Sequence, residues 1–207
     1  MPRDTEHKDE YVLVIPTRIL WQIGYFEGLN FDTQEYLRIL EDSKNTEFRR
    51  RSIVETDYQY KQLIPYIILS HDNTIFSYRR GKLLNEKRLA GNYSIGLGGH
   101  VSVNDVDLFE VSYHEAMLRE LTEEVEIRTN YTQTIVAMLN DDSNDVGRVH
   151  IGIIYFFDLK YPAVFPKEKS INEPEFISIP SLIKNVERYE SWSKICIENI
   201  DKIIKHR

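Results

Sequence analysis

Three glutamates are grouped on a stretch of sequence that is predicted to be helical. Glu123 and Glu124 follow Glu120 by three and four residues, a spacing that places all three on one face of an α-helix. Like charges at these spacings repel, and carboxylates near a helix C-terminus oppose the helix dipole; each effect costs from a few tenths to about 1 kcal/mol. The pattern therefore predicts a compensating cation, for which Mg²⁺ or Mn²⁺ suits hard oxygen ligands.

The sequence around these glutamates contains further helix signals. Ser112 and Glu115 form a capping-box pattern at the predicted helix start. Apolar residues then recur at helical spacing, and they are Met117, Leu118, Leu121 and Val125. This stripe predicts a helix that packs on a core and directs its glutamates elsewhere. A solvated acidic face is the alternative interpretation of such a glutamate pattern.

A glycine pair precedes this helix in the chain. Gly98 and Gly99 follow a predicted strand over residues 93–97, and glycine lets backbone approach a metal ion or a phosphate closely. His100 follows the glycine pair. Its side chain could reach the same site, or it could have a structural role. The glycines and the acidic helix together predict one site for a metal and a phosphate.

Composition and charge exclude several classes of protein. With 26 basic and 33 acidic residues among 207, the net charge is −7, which argues against a protein that coats nucleic acid through a basic surface. The single cysteine, Cys196, excludes an intramolecular disulfide and a cysteine-rich zinc site. No apolar run reaches the about 20 residues that span a bilayer, and the charged N-terminus has no signal-peptide core. We therefore expect a cytoplasmic location.

The pattern of elements predicts a mixed α/β (α+β) domain over residues 58–207, preceded by a partly helical extension over residues 1–57. Strands are predicted at 62–70, 74–79, 132–140 and 148–159, and a final helix at 181–206. In the extension, Asp32 or Thr33 can cap one helix and a second is predicted at 46–54. Residues 17–25 fit either a strand or a helix.

The two motifs resemble the Nudix box of the Nudix hydrolase superfamily. GGHV at 98–101 and RELTEEVEI at 119–127 carry the resemblance, which extends over residues 60–205. FRRR at 48–51, KQLIPY at 61–66 and ESWS at 190–193 further resemble a bacterial subgroup of predicted phosphoesterases (MutT-like). It implies an α/β/α sandwich with a mixed sheet. It also implies a metal-dependent hydrolase in which water attacks a diphosphate linkage, most often in a nucleoside diphosphate linked to another group X.

The resemblance also implies roles for individual residues. Arg119 and Glu120 would be catalytic, with Arg119 orienting a carboxylate. A base or an extra ligand would come from a later loop, where Glu173 is preferred to Glu168 and Glu175. The metal ligands would be Glu120, Glu123, Glu124 and the carbonyl of Gly98. The residues that approach the substrate phosphates would be Arg79, Arg80, Gly99 and His100.

The sequence departs from the family pattern at three points. The loop between Gly99 and Arg119 has 19 residues, six more than the pattern. Val111 stands where the first glutamate of the pattern is expected, and Glu126 replaces its later glycine. These departures concern the loop geometry and leave the Arg-Glu-x-x-Glu-Glu core intact.

Other functions remain open at this point. The alternatives are a non-catalytic Nudix-fold module that binds a nucleotide for regulation and an RNA 5′-end pyrophosphohydrolase, which the net charge disfavours. Isoprenoid diphosphate isomerisation needs a catalytic cysteine, and Cys196 falls within a predicted core stripe. The expected partner is a small-molecule diphosphate, without membrane binding and with nucleic-acid binding unlikely from the charge. A homodimer through residues 11–21 remains open.

Overall fold

The computed structural model describes residues 10–81, 91–103, 106–107, 110–111 and 113–207, with side chains omitted for 106–107 and 110–111. The strands are β1 (Tyr11–Pro16), β2 (Gly28–Asn30), β3 (Glu47–Arg50), β4 (Tyr60–His71), β5 (Thr74–Arg80), β6 (Tyr93–Ser94), β7 (Gly96–Leu97), β8 (Val106–Asp107), β9 (Glu110–Val111), β10 (Val125–Ile127), β11 (Tyr131–Asn140), β12 (His150–Leu159), β13 (Val164–Pro166) and β14 (Ile171–Ser178). The helices are α1 (Thr17–Ile23), α2 (Thr33–Glu41), α3 (Arg51–Val54), α4 (Tyr113–Glu124), α5 (Ile179–Lys184), α6 (Ser191–Glu198) and α7 (Ile200–Lys205).

A mixed sheet forms the centre of the molecule. Its main path runs β14-β5-β4-β12-β11-β2, and β1, β3, β6 and β7 pair beside this path. Strands β4 and β12 are parallel, with Gln62 opposite His150, whereas the other pairs in this sheet are antiparallel. The long apolar run of β4 is buried on both faces, as expected for a central strand.

Helices cover both faces of the sheet and enclose two apolar cores. The first core lies against α1, α2 and α4, and Leu63 and Ile67 of β4 point into it. The second core lies against α5, α6 and α7, and Ile64 and Ile68 point into it. Successive residues of β4 therefore serve opposite cores, and the predicted α/β/α sandwich with a mixed sheet is confirmed.

The N-terminal segment differs in part from its prediction. Residues 17–25 contain helix α1, and α2 begins at Thr33 as expected. The helix predicted over 46–54 is wrong in its first half, because residues 47–50 form β3, which pairs with β1. Pairing with a neighbouring strand has overridden the local helical pattern. The division into an extension and a domain at residue 57 stays a prediction.

The C-terminal helix predicted over 181–206 is wrong as a single element. Asn185 and Asn199 end α5 and α6, and a 3₁₀ turn, Val186–Arg188, separates them. The strand predicted over 93–97 is also interrupted, at Ile95, between β6 and β7. The capping residue Ser112 and residues 1–9 lie outside the described residues. Within the described ranges, no helix combines the length and apolar character that a membrane span requires.

Candidate active site

Helix α4 presents its glutamates at the edge of the first core. Met117, Leu121 and Val125 of the predicted apolar stripe are buried, whereas Leu118 is only half-buried. Ala116, which was not part of the predicted stripe, is buried as well. Because the stripe fixes the rotation of the helix, Glu120 and Glu124 turn toward the loop that begins at Gly98. The predicted acidic helix and the predicted glycine turn therefore meet.

The Gly98 turn holds the carboxylate of Glu124. Gly98 has φ +136°, and a Cβ there would lie 1.9 Å from the carbonyl oxygen of Pro65, so the position requires glycine. Its backbone N–H donates to Glu124 Oε2 at 3.0 Å. This contact fixes the carboxylate of Glu124 at the end of β7.

The pKa of Glu124 is raised to about 8. Desolvation is the largest cause, because burial disfavours the charged carboxylate. The hydrogen bond from Gly98 acts in the opposite direction, and the nearby charges of Glu120 and Glu168 raise the pKa further, while Arg80 lowers it. The site thus contains a carboxylate whose negative charge is only partly compensated by the protein.

Glu120 lies against the second glycine of the pair. A Cβ on Gly99 would come within 2.5 Å of Glu120 Oε2, so a larger residue would displace the carboxylate. The Glu120 side chain is 15% exposed, and its Oε1 forms an ion pair with Arg119 Nη1 at 2.7 Å. Gly99 therefore makes room for the carboxylate of Glu120.

Arg119 ties the helix to the glycine loop. Its Nη1 also lies 3.3 Å from Glu123 Oε2, and its Nη2 donates to the carbonyl of His100 at 2.9 Å. Glu123 is 55% exposed, so it faces solvent more than the other two glutamates. In the described part of the chain, no set of three or more acidic, histidine or cysteine side chains is close enough to hold one metal ion.

The loop after β13 caps the C-terminus of α4. The backbone N–H groups of Lys167 and Glu168 donate to the carbonyl of Glu124 at 2.9 and 3.4 Å, and Lys167 Nζ donates to the carbonyl of Thr122 at 2.6 Å. A lysine at this end favours the helix dipole. Part of the cost of the acidic helix is therefore offset within the chain, and the same loop brings Glu168 toward Glu124.

Comparison with known proteins identifies the superfamily. No family model matches the chain. It is 34% identical to Protein YmaB of Bacillus subtilis (strain 168) in an alignment of 161 residues, and the match covers 73% of this chain and 77% of YmaB. The crystal structure of Tm1382, assigned to the Nudix hydrolases, superposes with a TM-score of 0.77 at 29% identity and covers 92% of this chain and 98% of that one. The chain belongs to the Nudix hydrolase superfamily. It is a hydrolase of the class that acts on pyrophosphate and other acid anhydride bonds.

A third comparison concerns the fold alone. The Nudix domain of NrtR from Shewanella oneidensis, solved with ADP-ribose, is 13% identical, has a TM-score of 0.51, and covers 70% of this chain and 87% of that domain. The shared architecture agrees with the sandwich described above.

In this Nudix enzyme, alternation along β5 separates Arg79 from Arg80. The charge of Arg80 acts on Glu124 and on Tyr78 of the first core. Arg79 instead pairs with Glu173 at 3.2 Å, and Tyr93 donates to the same carboxylate at 2.7 Å. These hydrogen bonds, led by that from Tyr93, lower the pKa of Glu173. Arg79 and Glu173 thus form a cluster of their own, and their predicted substrate and catalytic roles stay predictions.

The ring of His100 contacts a second histidine. His100 Nε2 and His150 Nε2 are 3.3 Å apart, and His150 Nδ1 lies 2.7 Å from the carbonyl of Val146. Desolvation lowers the pKa of both rings, well below the ordinary value for His100. His100 therefore contacts the acidic helix through its backbone. Nothing in the sequence pattern pointed to His150, because the pair depends on the register of β12.

Proposed function

We propose that this Nudix hydrolase cleaves a diphosphate linkage in a nucleoside diphosphate joined to a group X, with water as the nucleophile and Mg²⁺ or Mn²⁺ as the cofactor. The observation that supports this most strongly is the partly buried carboxylate of Glu124, with its pKa raised to about 8 beside Glu120 and Glu168. An acidic group with uncompensated charge beside a glycine turn suits a divalent cation and a phosphate.

The donor set fits a hard divalent cation. Glu120 and Glu124 would supply carboxylate oxygens from the same side of α4, and we assign the carbonyl of Gly98 as a further ligand. Glu123 is 55% exposed and pairs with Arg119, so it would join the set only after its side chain turns toward the cation. When bound, the cation would neutralise the phosphate charge and lower the pKa of the attacking water. Burial raises the pKa of Glu124 to about 8, and a bound cation would favour the ionised carboxylate.

The surrounding side chains would orient these groups and the substrate. Arg119 holds Glu120 through its ion pair and fixes the glycine loop through the His100 carbonyl. The charge of Arg80 acts on Glu124, and Arg80 would approach a substrate phosphate, as would Gly99. For the base that accepts a proton from water we retain Glu173 as predicted, and we add Glu168 because its charge acts on Glu124.

The experiment is a panel of diphosphate compounds assayed with Mg²⁺ and with Mn²⁺ for release of phosphate, pyrophosphate or nucleoside monophosphate. ADP-ribose belongs in the panel because the Nudix domain of NrtR was solved with it. Metal-dependent release from at least one nucleoside diphosphate derivative would support the proposal. Binding of a nucleotide without turnover would instead favour the regulatory module, and turnover of 5′-triphosphorylated RNA alone would favour the RNA enzyme.

A further inference from the structure

A buried carboxylate lies on the far side of the sheet from α4. Glu190 is 7% exposed and immediately precedes α6. It accepts hydrogen bonds from the backbone N–H groups of Trp192 and Ser193, both at 2.8 Å. The hydroxyl of Tyr66 donates to Glu190 Oε1 at 2.9 Å, and the hydroxyl of Ser193 donates to the same oxygen. Backbone N–H groups at the helix start and side-chain hydroxyl groups thus donate to one buried carboxyl group.

The same network binds the strand that leads to the glycine turn. Ser193 Oγ accepts from the backbone N–H of Ile95 at 3.0 Å. Ile95 is the residue at which β6 and β7 are interrupted, so the serine takes the place of a ladder partner. The ring of Tyr66 packs against Gly96, where a Cβ would lie 1.9 Å from the ring. Residues 95 and 96 are thereby fixed from the second core.

Gly96 is also bonded from the opposite face. The hydroxyl of Tyr78, in the first core, donates to the carbonyl of Gly96 at 2.9 Å, and Ser94 Oγ donates to the same oxygen at 3.1 Å. Two residues further along the chain, the N–H of Gly98 donates to Glu124. A short strand held on both faces therefore ends at the amide that fixes the active-site carboxylate.

We propose that Glu190, acting through Ser193 and Tyr66, is a positioning residue for the active site. It sets the position of residues 95–96, and through them the direction of the Gly98 N–H toward Glu124. The inference rests on the proposed function for the role of Glu124. A displacement of about 1 Å in such a support can lower the rate by as much as about a hundredfold.

The test uses two variants of the full chain that each remove one oxygen, Tyr66→Phe and Ser193→Ala. Ser191→Ala is the matched control. It also removes a serine hydroxyl from α6, but Ser191 is not part of the hydrogen-bond network of Glu190. The first measurement is amide hydrogen exchange by NMR without metal, comparing Gly98 with amides of β4. The second is kcat and KM with the best substrate of the panel.

We expect Tyr66→Phe and Ser193→Ala to reduce the protection of the Gly98 amide by about tenfold relative to β4, and kcat by about tenfold with KM little changed. Ser191→Ala should leave both at the wild-type value. Equal loss of protection across β4 and Gly98, or unchanged Gly98 protection with unchanged kcat, would overturn the inference. Because exchange needs no substrate, a selective loss at Gly98 in a protein that hydrolyses nothing would leave the positioning intact and count only against the proposed function.

Discussion

At the scale of single residues, Glu124 differs from the other acidic side chains of α4. It is withdrawn from solvent and bonded to a backbone amide, whereas Glu123 is exposed and paired with Arg119. The sequence pattern treated the three glutamates as equivalent, because helical spacing gives the shared face but not the depth of each side chain. Its burial and its bond to the Gly98 amide are the reasons why we propose Glu124 first among the candidates for metal binding.

Glu124→Gln should reduce the rate of metal-dependent hydrolysis by at least about a hundredfold, because an amide cannot supply the negative charge that the cation needs. The matched control is Glu126→Gln. That carboxylate pairs with Arg128 at 2.8 Å on the surface, so its loss should leave kcat close to wild type. Both rates are measured at saturating Mn²⁺, with circular dichroism to verify the fold. Equal rates for the two variants would remove Glu124 from the mechanism.

The pH dependence of stability should report the same carboxylate. A raised folded-state pKa means that the folded protein binds a proton that the unfolded chain has released, so stability falls as pH rises from the ordinary value of 4.5 to about 8. Below the ordinary histidine value of 6.5, His100 and His150 act oppositely, because their lowered pKa values cost stability as pH falls. The pH range in which the change in stability reports the ionisation of Glu124 without the opposing histidines is therefore 6.5 to 8.

Between these pH values we expect the melting temperature of the metal-free protein to decrease, and Mn²⁺ to restore it most at the upper end. In Glu124→Gln the decrease should disappear. Differential scanning fluorimetry with a chelator, and then with excess Mn²⁺, makes the comparison. A wild-type melting temperature that is flat across the window would contradict the raised pKa.

At the scale of elements, the glycine turn that follows β7 holds the carboxylate of Glu124 and leaves room for that of Glu120. Gly98→Ala should lower the free energy of unfolding by about 3 kcal/mol, since the new Cβ would strain the backbone and meet the carbonyl of Pro65. Gly28→Ala is the control, because its φ is also positive, +81°, but nothing lies within 4 Å of its added Cβ.

Gly28→Ala should lower the free energy of unfolding by about 1 to 2 kcal/mol, because alanine is strained at a positive φ. It should leave the rate of hydrolysis unchanged. Urea unfolding gives both free energies, and the rate is measured on protein that remains folded. If both alanine variants lost the same stability and kept the same turnover, the close approach of Gly98 to Pro65 would have no functional weight.

The elements that the sequence predicted well are those with long apolar runs or a strong periodic stripe. Strands β4 and β12 and helices α2 and α4 were predicted to within a few residues, because burial alone determines them. Strand β3 was missed because only its pairing with β1 makes it extended. The Gly98–Glu124 contact was anticipated as a shared site, but the network of Glu190 depends on tertiary packing between distant segments and has no local signal.

At the scale of the whole molecule, the N-terminal segment contributes to the same sheet as the site. β1 pairs with β4, and its four central side chains, Val12 to Ile15, are buried. The apolar residues that suggested a dimer contact are therefore largely internal, although Trp21 is 59% exposed. A dimer remains a prediction.

A fragment of residues 58–207 should not fold cooperatively. Loss of the four buried side chains of β1 removes about 6 to 12 kcal/mol of burial free energy, which is comparable with the about 5 to 15 kcal/mol by which whole domains are stable. Thermal unfolding followed by circular dichroism, with the full chain measured in parallel, tests this. A sharp transition in the fragment near that of the full chain would show that residues 1–57 are dispensable for folding.

The most direct test of the central claim is an anomalous difference map at the manganese edge from a crystal soaked in Mn²⁺. We predict a peak among the carboxylates of Glu120 and Glu124 and the carbonyl of Gly98, and its absence in Glu124→Gln. A wild-type map at saturating Mn²⁺ with no peak there would contradict the account, since the buried carboxylate of Glu124 would then have no cation to compensate its charge.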